Sequence, residues 1–145
     1  MDLRDVPAPD LTDPLFEPYW SGAAAGKLVL PRCATCQRIS WPPRAFCLRC
    51  RSASFGWEEH EARGHLFSWT VVGHPTAPGY RDTPYAVGII SLVDPPARVM
   101  GTIVDVEPSA LEFDLPLVAC FARAGSDPEF TLIQWKPAEA ADRRE

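Results

Sequence analysis

Two CxxC pairs, Cys33-Ala-Thr-Cys36 and Cys47-Leu-Arg-Cys50, separated by ten residues, are the side chains of this 145-residue sequence best placed to do chemistry. A gap of two residues lets the chain turn back so that both sulfurs of a pair face one point. Two such knuckles supply the four thiolates of a tetrahedral zinc at Zn–S distances of ~2.3 Å. The alternatives are two disulfides or four free core thiols. Arg32, Arg38, Arg44, Arg49 and Arg51 make the surroundings too polar for a core, and they favour thiolates. A redox CxxC is ordinarily single and opens a helix in a βαβ pattern, which this sequence lacks. With all four positions thiolate, no coordination site stays open for a substrate. The expectation is therefore one structural Zn2+ per chain on Cys33, Cys36, Cys47 and Cys50, holding together a module with little apolar core of its own.

The remaining reactive residues form no catalytic set. Cys120 lies in the apolar run LVACFAR with no histidine after it, which reads as a core thiol. His60, His65 and His74 fit neither a metalloprotease helix nor a finger spacing, and no nucleophile elbow, phosphate loop or dinucleotide fingerprint is present. Asp105 with Glu107, and Glu58 with Glu59 and Glu61, read as unpatterned surface acids. No catalytic residue is expected.

The elements that must position the cysteines are short. Sixteen prolines, about twice the usual frequency, penalise long helices and favour strands with rigid connections. Residues 1–14 hold Pro7, Pro9 and Pro14 among four aspartates and read as an extended arm that drapes over a surface or stays loose. Residues 13–26 read as a helix capped by Thr12 or Asp13, with Pro14 in its first turn and Gly26 as its stop. Residues 27–32 (KLVLPR) form a strand leading into the first cysteine pair. Five further strands are predicted at 63–72, 84–93, 98–106, 117–123 and 130–135, with a helical turn at 107–111 and a glycine in the third that suggests a bulge or kink. Five short strands with a brief helical element before the fourth suit a small barrel of the OB type, with a two-sheet sandwich as the alternative. The division is an arm and helix at 1–26, a ribbon at 27–57, a barrel at 58–137 and a charged tail at 138–145.

Charge is uneven. No Asp or Glu occurs from 18 to 57, a segment with six basic residues, whereas the remainder has eight basic and nineteen acidic residues, a balance of −11. The apolar runs are far shorter than the ~20 residues that span a bilayer, and the acidic N-terminus does not resemble a secretory leader. A cytoplasmic protein without a membrane segment is expected.

This order of features resembles the zinc-ribbon/OB-fold family associated with acyl-CoA metabolism, long catalogued as a domain of unknown function. The stretches that carry the resemblance are YWSGAAAGKLVLPRCATC, WPPRAFCLRC, GHLFSWTVV, PYAVGIISL and LEFDLPLVACF, and the resemblance extends over roughly Pro14 to Trp135. Three positions depart from it, for Gln37, Arg51 and Asp114 stand where the family has glycine. The resemblance implies a mainly β chain with a helical lead-in, a rubredoxin-like zinc ribbon and a five-stranded OB-fold barrel. It implies a non-catalytic accessory subunit that binds acyl-CoA in a hetero-oligomer. The partner would be a thiolase-like enzyme, a thiolase or a retro-aldolase on CoA thioesters such as those of steroid side chains, or else a hot-dog-fold hydratase.

Arg38, Trp41, Arg44 and Arg49 are the residue types that would meet the phosphates and adenine of CoA, and solubilising the ribbon is the plainer role for each. Leu15, Phe16, Tyr19 and Trp20 would anchor a partner, or pack internally between ribbon and barrel. A nucleic-acid-binding module is the alternative function, since basic side chains interleaved with aromatics serve that role, but the acidic body opposes a phosphate backbone. A plain protein-interaction module is the third.

Overall fold

The computed structural model describes residues 1–94 and 96–139. Pro95, in the predicted 94–97 connection, and most of the predicted tail, 140–145, lie outside the described residues. The helix α1 runs Glu17–Ala24, later than predicted. The carbonyl of Asp13 accepts from the Phe16 and Glu17 N–H groups at 3.0 and 2.9 Å, and its carboxylate accepts from Leu15 N at 2.9 Å, so Asp13 starts a turn ahead of the helix. Pro18, not Pro14, occupies the first helical turn, where a missing N–H costs nothing. Gly26, at φ 73°, ends it as expected: its N–H donates to Ala23 O at 2.9 Å and Lys27 N–H to Gly22 O at 2.9 Å, the paired bonds of a Schellman stop.

The ribbon is a two-stranded antiparallel sheet of β1 (Leu28–Cys33) and β2 (Phe55–His60), with both knuckles in the connection or at its mouth. Strand β2 has no counterpart in the sequence reading. Glu58 and Glu59, read there as unpatterned acids, pair across this sheet with Arg32 and with Lys27 (3.6 Å) respectively.

The five predicted barrel strands are present as β3 (Arg63–Val72), β4 (Tyr85–Leu92), β5 (Arg98–Ile103), β6 (Pro116–Ala124) and β7 (Phe130–Pro137), with a 3-10 turn at Pro108–Ala110. They close in the order β3-β4-β5-β7-β6, and β5 meets β7 in parallel through one register pair, Ile103 with Trp135. The predicted irregularity at Gly101 is not a bulge. Gly101 stays in register with Gly88, and a side chain there would collide with the Trp135 ring, its Cβ standing 2.8 Å from Cδ1. The bulge falls in β3, between Leu66 and Ser68, and turns Phe67 outward.

One apolar core runs through all three parts. Ala23 of the helix, Leu28, Leu30 and Ile39 of the ribbon, and Leu66, Ile90, Ile103, Leu117 and Trp135 of the barrel belong to the same buried cluster. A second, smaller cluster docks the N-terminal arm: buried Val6 packs with Ala124 and Phe130, and Gly125 N–H donates to Leu3 O at 2.9 Å. The arm therefore drapes rather than hangs loose. Among the described residues no helix is long and apolar enough to cross a membrane.

Candidate metal centre and adjoining groove

Both knuckles are closed by the same bonds. Cys33 N–H donates to Arg38 O and Cys47 N–H to Ser52 O, each at 2.8 Å; Gln37 N–H donates back to Cys33 O at 2.9 Å and Arg51 N–H to Cys47 O at 2.8 Å. The residue after each pair must then turn left-handed, and Gln37 and Arg51 do so at φ 66° and 63°. Asp114, the third position where the resemblance has glycine, lies at φ 64°. The backbone conformation that glycine adopts without steric cost is thus kept by three side-chain-bearing residues. Gln37 is held there by its own amide, which donates to Ala34 O at 3.0 Å, while Arg32 Nη1 donates to its carbonyl at 2.6 Å.

The sulfurs pair across the knuckles, Cys33 Sγ with Cys50 Sγ at 3.5 Å and Cys36 Sγ with Cys47 Sγ at 3.6 Å, and all four lie within 4.8 Å of one another. Disulfides would bring each pair to ~2.0 Å. A tetrahedron with ~2.3 Å Zn–S bonds has edges of roughly 3.8 Å, so the donor set fits one zinc. The electrostatics agree. The Cys36 N–H holds the Cys33 thiol down to about 6, and the N–H groups of Cys50 and Arg49 lower Cys47. Cys50, though drawn down by the Ser52 N–H, ends at about 11 because of desolvation and the three neighbouring sulfurs. Four sulfurs this close ionise together only around a cation. When bound, the ion cross-links the two knuckles. Cys120 stands outside this cluster, half-buried on β6, with its thiol pushed up by desolvation.

A groove of about 410 Å³ opens beside the centre, between Arg38, Ile39 and Trp41 of the ribbon and Ser91, Leu92 and Arg98 of the barrel. Arg98 was not singled out from the sequence. The β3 bulge presents the Phe67 ring, the Arg98 guanidinium lies 3.7 Å above that ring, and its Nε donates to Ser91 Oγ at 3.4 Å. A smaller recess of about 80 Å³ lies between Trp41 and the second knuckle, with Arg38, Arg44 and Leu48 on its rim. Arg49 lines neither.

Family models match almost the same span in two parts: a ChsH2 rubredoxin-like zinc ribbon domain at residues 20–56 and a ChsH2 C-terminal OB-fold domain at 57–122. This chain belongs to the ChsH2-type DUF35 family. A chain of the Ltp2-ChsH2(DUF35) aldolase superposes with a TM-score of 0.79 at 29% identity, covering 91% of this chain and all of that one. A DUF35 domain-containing scaffold protein of Methanocaldococcus jannaschii is 28% identical over 117 residues, 77% of this chain and 82% of its own length. A protein of Thermomonospora curvata named "Probable enoyl-CoA hydratase alpha subunit" is 34% identical over 123 residues. The match takes in 83% of this chain but only 37% of that subunit.

Within this ChsH2-type frame the lead-in aromatics form a column. Tyr19 lies 4.5 Å from Trp41 of the ribbon and 5.0 Å from Trp20, and Trp20 meets Phe130 of the barrel edge-on at 5.7 Å. Phe16 stands 6.4 Å from Trp41, and Leu15 is 37% exposed. Of the histidines, His65 sits within β3 and His74 on the exposed connection after it. His60 is half-buried on β2, its side chain largely covered and its Nε2 without a hydrogen-bond partner, 3.6 Å from Glu58 Oε1.

Desolvation lowers the His60 pKa against the pull of Glu58, so the unfolded chain binds more protons there. The stability it supports is complete above the unfolded value of ~6.5 and declines as pH falls below it. Urea midpoints should therefore drop further between pH 7.5 and 5.5 in the wild type than in His60→Leu. Equal drops would remove His60 from the acid response.

Proposed function

We propose that this chain is the accessory subunit of an enzyme complex acting on CoA thioesters, with a thiolase-like aldolase as its partner. The observation that carries this reading is the likeness to a chain of the Ltp2-ChsH2(DUF35) aldolase over that chain's whole length. The local chemistry supports it. The groove is lined by two arginines, Arg38 and Arg98, together with Ile39, Leu92 and Trp41. Arginines suit a pyrophosphate and an indole suits an adenine. Arg44 and Arg49 line no part of this groove. The acyl group, a steroid side chain by resemblance, would lie in the partner.

Contact with that partner through the lead-in falls to the outward edges of Leu15, Phe16, Tyr19 and Trp20, since Tyr19 and Trp20 also pack within the chain. The hydratase subunit among the relatives favours a hot-dog-fold hydratase as the second reading of the partner. Reduced thiolates and a CoA ligand suit the cytoplasm.

The test is isolation of the chain from its native host with its associated proteins identified by mass spectrometry, followed by assays of each component. The chain alone should cleave no acyl-CoA. A thiolase-fold enzyme should accompany it and lose activity or solubility without it. Acyl-CoA binding by the complex should weaken several-fold in Arg98→Glu, since an exposed charge contact contributes ~1 kcal/mol. Substantial cleavage by the chain alone, or bound nucleic acid instead of an enzyme, would contradict the proposal.

A further inference from the structure

The second knuckle carries an arrangement that neither the metal nor the groove explains. Phe46 and Leu48, immediately before and after the buried ligand Cys47, are 61% and 68% exposed. Large apolar side chains on a rigid turn are ordinarily tucked under it; these two project from it. Arg44, Arg49 and Arg51, all exposed, lie within three residues of one or the other along the chain. Among the described residues none of the three has a carboxylate within ion-pair distance, although the protein as a whole carries −5. Lys27, Arg32 and Arg123, by contrast, each meet a glutamate. Exposed apolar side chains flanked along the chain by guanidinium groups that meet no carboxylate have the composition of an interaction hot spot.

We infer that the second knuckle, Arg44 to Arg51, is a docking surface for a protein that presents carboxylates around a protruding apolar side chain. The inference rests on reading the chain as a subunit of a complex, and it names the chemistry of the surface that the partner offers. Charge complementarity gives the sign: three unpaired cations, with no acid in the sequence from 18 to 57, call for an anionic counterpart. Shape selects a protein over other anions. The 80 Å³ recess between Leu48 and Trp41 is about half the size of a cavity that holds benzene, room for one aliphatic side chain. A phosphate backbone has no aliphatic group to insert, and a bilayer keeps its acyl chains beneath the headgroups, whereas a protein side chain can protrude into the recess. A polynucleotide would also have to run on over a body of charge −11. The cross-linked cysteines hold Phe46 and Leu48 in place before contact, which lowers the ordering cost of binding.

The probe is the thiolase-fold enzyme that accompanies the wild-type chain, freed of it and titrated with zinc-loaded full-length variants by calorimetry. Phe46→Ser and Leu48→Ser should each raise Kd at least tenfold. Arg49→Glu with Arg51→Glu should raise it further and flatten its dependence on salt. Zinc content and circular dichroism should be unchanged, since all four side chains are exposed. Met100→Ser, equally exposed at 68% but on the barrel, serves as the control and should bind as the wild type does.

Wild-type binding that all knuckle variants preserve would overturn the docking surface while leaving the subunit reading intact. Failure of the wild type to bind any such enzyme would overturn both. Vesicles of equimolar phosphatidylcholine and phosphatidylserine, and single-stranded DNA, are titrated in parallel. Tight wild-type binding to either that is lost in the same variants would reassign the patch to a membrane or a nucleic acid.

Discussion

Replacing Cys33 by serine should abolish zinc binding and unfold the ribbon. Cys33 is completely buried, its sulfur lies 3.5 Å from that of Cys50, and its backbone closes the first knuckle through both N–H and C=O. Structural zinc sites of this kind contribute an apparent ~10–16 kcal/mol, comparable with the ~5–15 kcal/mol total stability of an ordinary domain. Apart from Pro31 and Pro43, the ribbon has only Leu28, Leu30 and Ile39 as buried aliphatic side chains to set against that loss. Elemental analysis of protein prepared without chelator should give one zinc per wild-type chain and none for Cys33→Ser, with a large fall in Tm. A zinc-free variant with wild-type Tm would show that the cysteines do not hold the ribbon. Cys120→Ser, outside the cluster, should retain the metal.

The second large effect is expected at Trp135. It is 1% exposed, lies against Gly101, and supplies the carbonyl that accepts Val104 N–H at 2.7 Å where β5 and β7 close the barrel. Trp135→Ala removes the largest fully buried side chain and leaves a cavity beside a residue that has no side chain to fill it. A loss of about 3–5 kcal/mol follows. The reciprocal change, Gly101→Ala, sets a methyl 2.8 Å from Cδ1 and 3.1 Å from Nε1 of the indole and should be destabilising too, by about 1–3 kcal/mol. Combining Gly101→Ala with Trp135→Leu should cost less than the sum of the two single changes, measured by urea unfolding. Strict additivity would mean that the two residues do not share the space ascribed to them.

The cysteine cluster was legible because two-residue spacings bring sulfurs together whatever the surrounding fold. Strand β3 was legible to the residue, since RGHLFSWTVV is aromatic and β-branched between turn signals. Strand β2 was not. FGWEEH has a glycine and two adjacent acids, and it becomes a strand only because β1 lies beside it with Lys27 and Arg32 to pair those acids. The start of α1 was misjudged because Pro14 and Pro18 both fit a first turn. Backbone bonding to Asp13, which no side-chain pattern records, decides between them. Arg98 could not be found as a groove residue without knowing that β3 bulges at Phe67 and offers a ring for it to stack on. Tertiary packing made these choices, and local sequence carries little trace of it.

The buried cluster shared by helix, ribbon and barrel has a mechanical consequence. Ala23, Leu30, Ile39 and Leu66 lie in one continuous interior, and the Trp41, Tyr19, Trp20 and Phe130 rings brace it from one side. The three parts cannot be drawn apart without exposing that interior to water, so a load applied at the zinc knuckle is borne in part by apolar side chains of the barrel.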